Sequence, residues 1–549
     1  MGFALRAAIG GFLLMISGTA PLCWALQNQP GNSTIRTTTH LVQFGMIVRD
    51  RNGAVRNLTK DDFVVKDRGK IQPINVFSVD VSGTTAQSAQ PLPPNTYSDI
   101  AGYGTEKPRS VTIVLLDNLN ALFGAAPEPY ERTPRWLEEH ALTNAKQHLM
   151  EFLRTMDPSD RIAIYGLTDR LRVLCDFTCN RDQLLAVVGK YDASAMTARG
   201  AVEPGSVHVP EMLDPDSAHL GAPIAEAGQE LAGFKNQDRA QLTMEAIAAI
   251  TEHVADIPGR KNLLWLTSNL PFSGEAIARV LARGNVVAYP LDARGLLPRS
   301  PVVTMEDANE DDYAMGRVGG LMGADSGPTG IGTMQEMAAD TGGHAFVNTN
   351  DLTSAIRSAI EDSAVTYTLG FYLPESDVDG KFHKIAVQVK QAGLSVTAPR
   401  GYFADKDTDA TESETRSAFI AAIRSPLDAA ALPLVVRMER QDKAAQNSVE
   451  IVGSVGLKSV QVHQEGSFRK GTLDIYTIEQ DATGKVLHQG NERLNLKLTE
   501  QQYISYLQSG ILFHQVLQPQ QDTKVLRVLV QDHGSARVGS VIIPFAHVK

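Results

Sequence analysis

The segment VTIVLLD, Val111 to Asp117, is a near-continuous apolar run that closes on a carboxylate. A central parallel strand reads this way, because helices bury it on both faces. The pattern recurs downstream. A helix is predicted from Pro134 to Met156, with Trp136, Leu137, Ala141, Leu142, Ala145, Leu149, Phe152 and Leu153 at helical spacing. RIAIYGL and LRVLCDF follow as paired strands, and Arg181 to Tyr191 as a helix. Further helices are predicted at Gln237 to Ile257, Gly274 to Arg283, Thr333 to Thr341 and Leu352 to Asp362, between strands at NLLWLTS, VVAYPLD and HAFV. Six strands with intervening helices over residues 110–362 specify an α/β fold with a doubly wound, mostly parallel sheet. Such sheets bind ligands at the carboxyl ends of their strands.

The flanks read as β structure. Residues 35–80 alternate β-formers with turn dipeptides at Asn52-Gly53 and Arg68-Gly69, and residues 364–403 give three more alternating strands. Neither set closes a core alone, so the two are expected to pack as one β unit. Residues 81–109 and 404–415 read as linkers, and 416–549 as a C-terminal β-sandwich. Residues 192–236 and the Gly-rich, acidic stretch 295–330 read as inserted loops.

The first 25 residues have the form of a secretory leader: Arg6, an apolar core from Ala7 to Ser17, and a cleavage site at Cys23-Trp24-Ala25. Cleavage is the expectation and a retained anchor the other option. No later segment approaches ~18 uninterrupted apolar residues, so the mature chain is expected to be soluble in the periplasm, secreted or at the cell surface. A net charge of −11 without a basic run argues against nucleic acid as a partner. Cys175 and Cys179, four apart in LCDFTCN, suit a small disulfide in an oxidising compartment; free thiols and a metal pair are the alternatives.

Several phrases occur in a telling order: VTIVLLDNLN, IPGRKNLLWLTSNLPF, VVAYPLDARGL, MAADTGGHAFVNTNDL, and YTLGFYLPESDVDGKFHKIAVQV followed by PRGYF. Together they closely resemble the von Willebrand factor type A-related domain family of acidobacterial type, over residues 37 to 403. The resemblance implies an exported protein with a Rossmann-like type A core that works in protein binding or adhesion. In the wider superfamily a metal-ion-dependent adhesion site takes D-x-S-x-S after the first strand, a Thr from a later loop and an Asp after the fourth strand. These hard oxygens hold Mg²⁺ and leave a vertex for a partner's carboxylate. Here the first motif reads Asp117-Asn118-Leu119-Asn120-Ala121, without either serine. Gln241 stands where the Thr would fall, with Thr243 close by, and Ser268 replaces the second Asp. One carboxylate among amides and hydroxyls is a poor cage, so the degenerate site implies at most weak binding of Mg²⁺ or Mn²⁺ at Asp117.

Asp117 nevertheless sits at the strand-end mouth, and Asp292 ends the fifth strand on the same edge. With Asn118, Asn120, Thr267, Ser268 and Asn269 they form the candidate partner-binding surface. The competing reading is structural: Asp117 caps the following turn and Asp292 pairs with Arg294. Catalytic motifs are absent from the sequence: no G-x-x-x-x-G-K-[ST], no G-x-S-x-G and no H-E-x-x-H occurs. The expectation is therefore a binder and not an enzyme, with a structural scaffold as the alternative and an unrecognised hydrolase behind both.

Overall fold

The structure is a computed structural model. It describes the chain apart from residues 1–38, 82–91, 101–109, 121–134, 158–159, 192–236, 258, 269, 271, 296–329, 363, 406–408, 442–447 and 546–549. The expected leader, the loop 192–236, most of the loop 295–330, and Asn269 thus lie outside the described residues. The fold is mixed α/β with several sheets, one of which contains parallel strands.

That sheet has five strands: β1 (Val111–Asp117), β2 (Ile162–Leu167), β3 (Leu171–Cys175), β4 (Lys261–Thr267) and β5 (Val286–Asp292), in the order β5-β4-β1-β2-β3. All neighbours are parallel except β2 and β3. The expected sixth strand is reduced to a single parallel bridge, Leu291 to Phe346. Alternation along each strand divides the core. Val114, Leu116, Ile164, Leu264 and Tyr289 face helices α1 (Arg135–Thr155), α2 (Arg181–Lys190) and α6 (Leu352–Glu361). Ile113, Leu115, Tyr165, Leu263 and Trp265 face α3 (237–253), α4 (Gly274–Arg283) and α5 (Ile331–Thr341). Burial on both faces is why these strands lack an alternating pattern.

Strands before and after this domain pair with each other. Thr39–Asp50 runs antiparallel to Val365–Pro374, with Met46 opposite Tyr367, and Phe63–Asp67 pairs with Phe382–Val389. Phe44, Met46, Phe63, Tyr367 and Phe371 form their shared core. The C-terminal part is two facing antiparallel sheets whose core includes Val436, Ile451, Ile475, Val528 and Ile543.

Three elements depart from the expected linkers and sandwich. Thr96–Ser98, inside the stretch read as a linker, pairs with Leu434–Gln441 and adds a strand to the C-terminal part. Asp99 secures it, accepting from Leu434 N at 2.7 Å. Glu412–Arg424 and Glu500–Ser509 are helices, each opened by a capping box from Thr411 and Thr499. Among the described residues no helix is long and apolar enough to cross a membrane.

Candidate functional site

The strand order reverses between β1 and β4, and the carboxyl ends of these neighbours form the switch point at which an open α/β sheet leaves a crevice. Asp117 stands there, fully buried. Its Oδ1 accepts from Asn120 N at 3.0 Å, and its Oδ2 from Asn120 Nδ2 and from Trp265 Nε1, each at 2.9 Å. The Thr267 hydroxyl also bonds it. Burial raises the Asp117 pKa, and the bonds from Asn120, Trp265 and Thr267 pull it back. The second amide hydrogen of Asn120 goes to Thr243 Oγ1 at 2.9 Å, and that hydroxyl donates to Arg239 O at 2.8 Å. The carboxylate therefore organises the turn after β1.

The other expected residues separate into two kinds. Asp292 is buried and clamped by Arg294, whose Nε and Nη2 reach Oδ1 and Oδ2 at 2.8 Å each, while Arg294 N donates to Oδ1 at 3.0 Å. Thr267 and Ser268 are buried beside the crevice. Asn118 differs from all of these. It is 2 % exposed, yet among the described residues neither Oδ1 nor Nδ2 has a hydrogen-bond partner. Asn120 Oδ1 and the Tyr191 hydroxyl share this condition. Buried polar atoms are rarely left unpaired, because each costs about 1–3 kcal/mol.

A divalent ion does not fit these groups. Mg²⁺ needs oxygen lone pairs at about 2.0–2.1 Å, whereas N–H donors already point at the Asp117 carboxylate from Asn120 and Trp265. Asp292 is committed to Arg294. Among the described residues no cluster of three or more His, Cys, Asp or Glu is placed to hold a metal.

Sequence reasoning missed Trp265 and placed Gln241 ahead of Thr243. Gln241 instead bonds Glu245 one helical turn on, at 2.9 Å on the exposed face of α3. An indole N–H inside an otherwise apolar strand was the available signal, since a buried Trp seeks an acceptor. Cys175 and Cys179 are joined by a disulfide, with Cα atoms 6.1 Å apart.

No protein-family profile matches the chain, and no curated protein does. Solved structures give matches of low identity. The aerotolerance-related membrane protein of Bacteroides fragilis is 12% identical, with a TM-score of 0.24 over 46% of this chain and 98% of that one. BatB of Bacteroides thetaiotaomicron is 13% identical, with a TM-score of 0.24 and the same coverage. A von Willebrand factor type A protein of Catenulispora acidiphila is 10% identical, with a TM-score of 0.24 over 86% of this chain and 74% of that one. None of these likenesses carries a function across.

Much of the charge chemistry in the quoted phrases lies at the opposite, amino-terminal edge of the sheet. Arg260, 2 % exposed, donates from Nη2 to the Tyr289 hydroxyl and to Gly342 O, at 2.8 Å each. Tyr289 donates to Asp362 at 2.7 Å, and Asp362 pairs with Arg49 from the β unit. Arg400 of PRGYF bonds Asp340 of MAADTGG at 2.8 Å. The Arg49–Asp362 and Arg400–Asp340 contacts join the β unit to the α/β domain.

A second set of titratable groups lies where α3 meets the C-terminal part. His253 Nδ1 contacts Asp428 O at 2.8 Å and Nε2 lies 3.3 Å from Asp176. Burial pushes Asp428 up to about 6 from 3.8, against the pull of His253, Ile542 N–H and Arg527. It likewise pushes Glu252 up to about 7 from 4.5, with Arg283 opposing. Burial lowers His253, but the Asp176 bond and charge and the Asp428 contacts outweigh it, so its pKa is raised. In each case the folded state holds its proton to higher pH than the unfolded chain. The carboxyl contributions to stability are full below the unfolded pKa values and are lost as pH rises through the folded ones; that of His253 is lost at higher pH still. Thermal midpoints are thus expected to fall between pH 5 and pH 8, with Asp428→Asn flattening part of the slope. A slope unchanged in the variant would remove Asp428 from this account.

Proposed function

We propose that this is an exported binding protein, and not an enzyme, whose α/β domain is a doubly wound type A-like module engaging a protein partner at the carboxyl edge of its strands. Asn118 carries the reading. Its amide is buried at the switch point with no hydrogen-bond partner among the described residues, which is costly for the fold and leaves that capacity to something that binds there. Asp117 acts behind it by fixing the turn. Asn118 Nδ2 and the Tyr191 hydroxyl can donate while Asn118 Oδ1 and Asn120 Oδ1 accept, a mix that an amide-rich partner can satisfy on both sides and a carboxylate, which only accepts, cannot.

Asn118→Ala separates function from fold, because a side-chain amide with no partner among the described residues leaves no hydrogen bond to break, while the backbone bond to Leu167 O stays. The expected result is a thermal midpoint equal to or above wild type, together with about tenfold weaker capture of the partner, for one contact of about 1.4 kcal/mol. Capture is read by cross-linking and pull-down from the exported fraction of the source cells. Equal recovery by both proteins would leave a structural scaffold as the better reading. The inward turn of Asp117 and the Arg294 clamp on Asp292 favour that alternative.

A further inference from the structure

We infer that the Asn120 carboxamide stands where a cation would otherwise bridge the strand-end loops, so that this edge of the sheet is assembled without a metal ion. The two amide hydrogens reach Asp117 Oδ2 and Thr243 Oγ1 at 2.9 Å each. The first is the first-strand carboxylate that the family resemblance assigns to an ion; the second lies two residues past Gln241, which stands where the resemblance puts the ion-holding Thr. Donor and acceptor roles agree at every step. Thr243 gives its own proton to Arg239 O, which leaves a lone pair for Asn120. Trp265 Nε1 and Asn120 N satisfy the carboxylate from other directions.

An ion in this place would have to draw both oxygens from hydrogen-bond distance to about 2.0–2.1 Å while facing the indole N–H. It would also have to expel an amide that already ties the loop after β1 to α3. The carboxamide does the mechanical part of the ion's work, holding two loops in register. It presents no open coordination vertex, and so offers nothing to a partner's carboxylate. The inference concerns how the edge is held together and is independent of whether a partner binds there.

Calorimetric titration of Mn²⁺ and Mg²⁺ into the wild-type chain tests it, with thermal melts in EDTA and in millimolar Mn²⁺ alongside. The expected result is no saturable heat and the same midpoint in both solutions. Asn120→Asp replaces the donor by a second buried carboxylate beside Asp117, and like charges in one site demand a proton or a cation. That variant is expected to melt lower in EDTA and to recover in Mn²⁺. A wild-type chain that binds one equivalent of Mn²⁺, with the binding lost in Asp117→Asn, would overturn the inference. The wild-type titration decides the matter even if Asn120→Asp fails to fold.

Discussion

Arg260→Ala is expected to lower the thermal midpoint by about 10 °C, from a loss of roughly 3–5 kcal/mol. The guanidinium is buried and makes three contacts of different kinds: the Tyr289 hydroxyl, the Gly342 carbonyl, and Asn262 Oδ1 at 3.2 Å. Its removal leaves the Gly342 carbonyl and the Tyr289 hydroxyl short of a donor in a buried site. Tyr289, which donates to Asp362, then loses the donor that holds its own hydroxyl in place, while the Arg49–Asp362 ion pair remains. Removing a buried donor costs more than its bonds contribute net, because the acceptors it served stay buried and unpaired. Lysine has one nitrogen where arginine has a fork, so Arg260→Lys should recover only part of the loss. Calorimetric melts of the three proteins give the comparison. A variant within about 2 °C of wild type would mean that less than ~1 kcal/mol was at stake.

Gly343→Ala is expected to be of similar severity for a steric reason. A Cβ at this position would lie 1.9 Å from the Ala288 carbonyl oxygen in β5, and backbone there cannot rotate aside. Relief requires the segment to move away from the strand. Two bonds oppose that: Ala288 N donates to Thr341 Oγ1 at 3.0 Å, and Phe346 N to Pro290 O at 2.9 Å. Overpacking of this kind costs about 1–3 kcal/mol and more when backbone must shift. Gly332, in the helix α5 that ends just before Gly343, is the internal comparison. Among the described residues nothing lies within 4 Å of its added Cβ, so Gly332→Ala should be neutral or stabilising by up to ~1 kcal/mol. Urea unfolding of both variants reads the difference. Equal midpoints would show that the close approach at Gly343 is relieved without cost.

The strands of the α/β domain were legible because burial on both faces leaves a signature that few other elements share. Asp117 and Asp292 were legible as strand-end carboxylates, and the pairing of Asp292 with Arg294 could be proposed because the two are only two residues apart. Trp265 and Thr243 were not, since their contacts with Asp117 and Asn120 span 148 and 123 residues and no local pattern reports them. Thr96–Ser98 was illegible for a related reason: three residues have no periodicity, and only pairing with Leu434–Gln441 makes them a strand. The helices at Glu412–Arg424 and Glu500–Ser509 were signalled by Thr411 with Glu414 and Thr499 with Gln502, but the charge of the first and the sandwich context of the second masked the signal.

The antiparallel ladder that joins Met46 to Tyr367 brings together residues with more than three hundred positions between them. A chain made from its amino end at about 5–20 residues per second would leave the first strand waiting roughly 15–60 s for its partner. Thr96–Ser98 waits longer still for Leu434–Gln441. Val111–Thr267 meanwhile contains four strands of the parallel sheet and can begin to collapse at once. Assembly therefore runs from the middle of the chain outward. The early strands Thr39–Asp50 and Thr96–Ser98 stay unpaired until Val365–Pro374 and Leu434–Gln441 have been made, and through that interval the nascent protein depends on whatever keeps open strands apart.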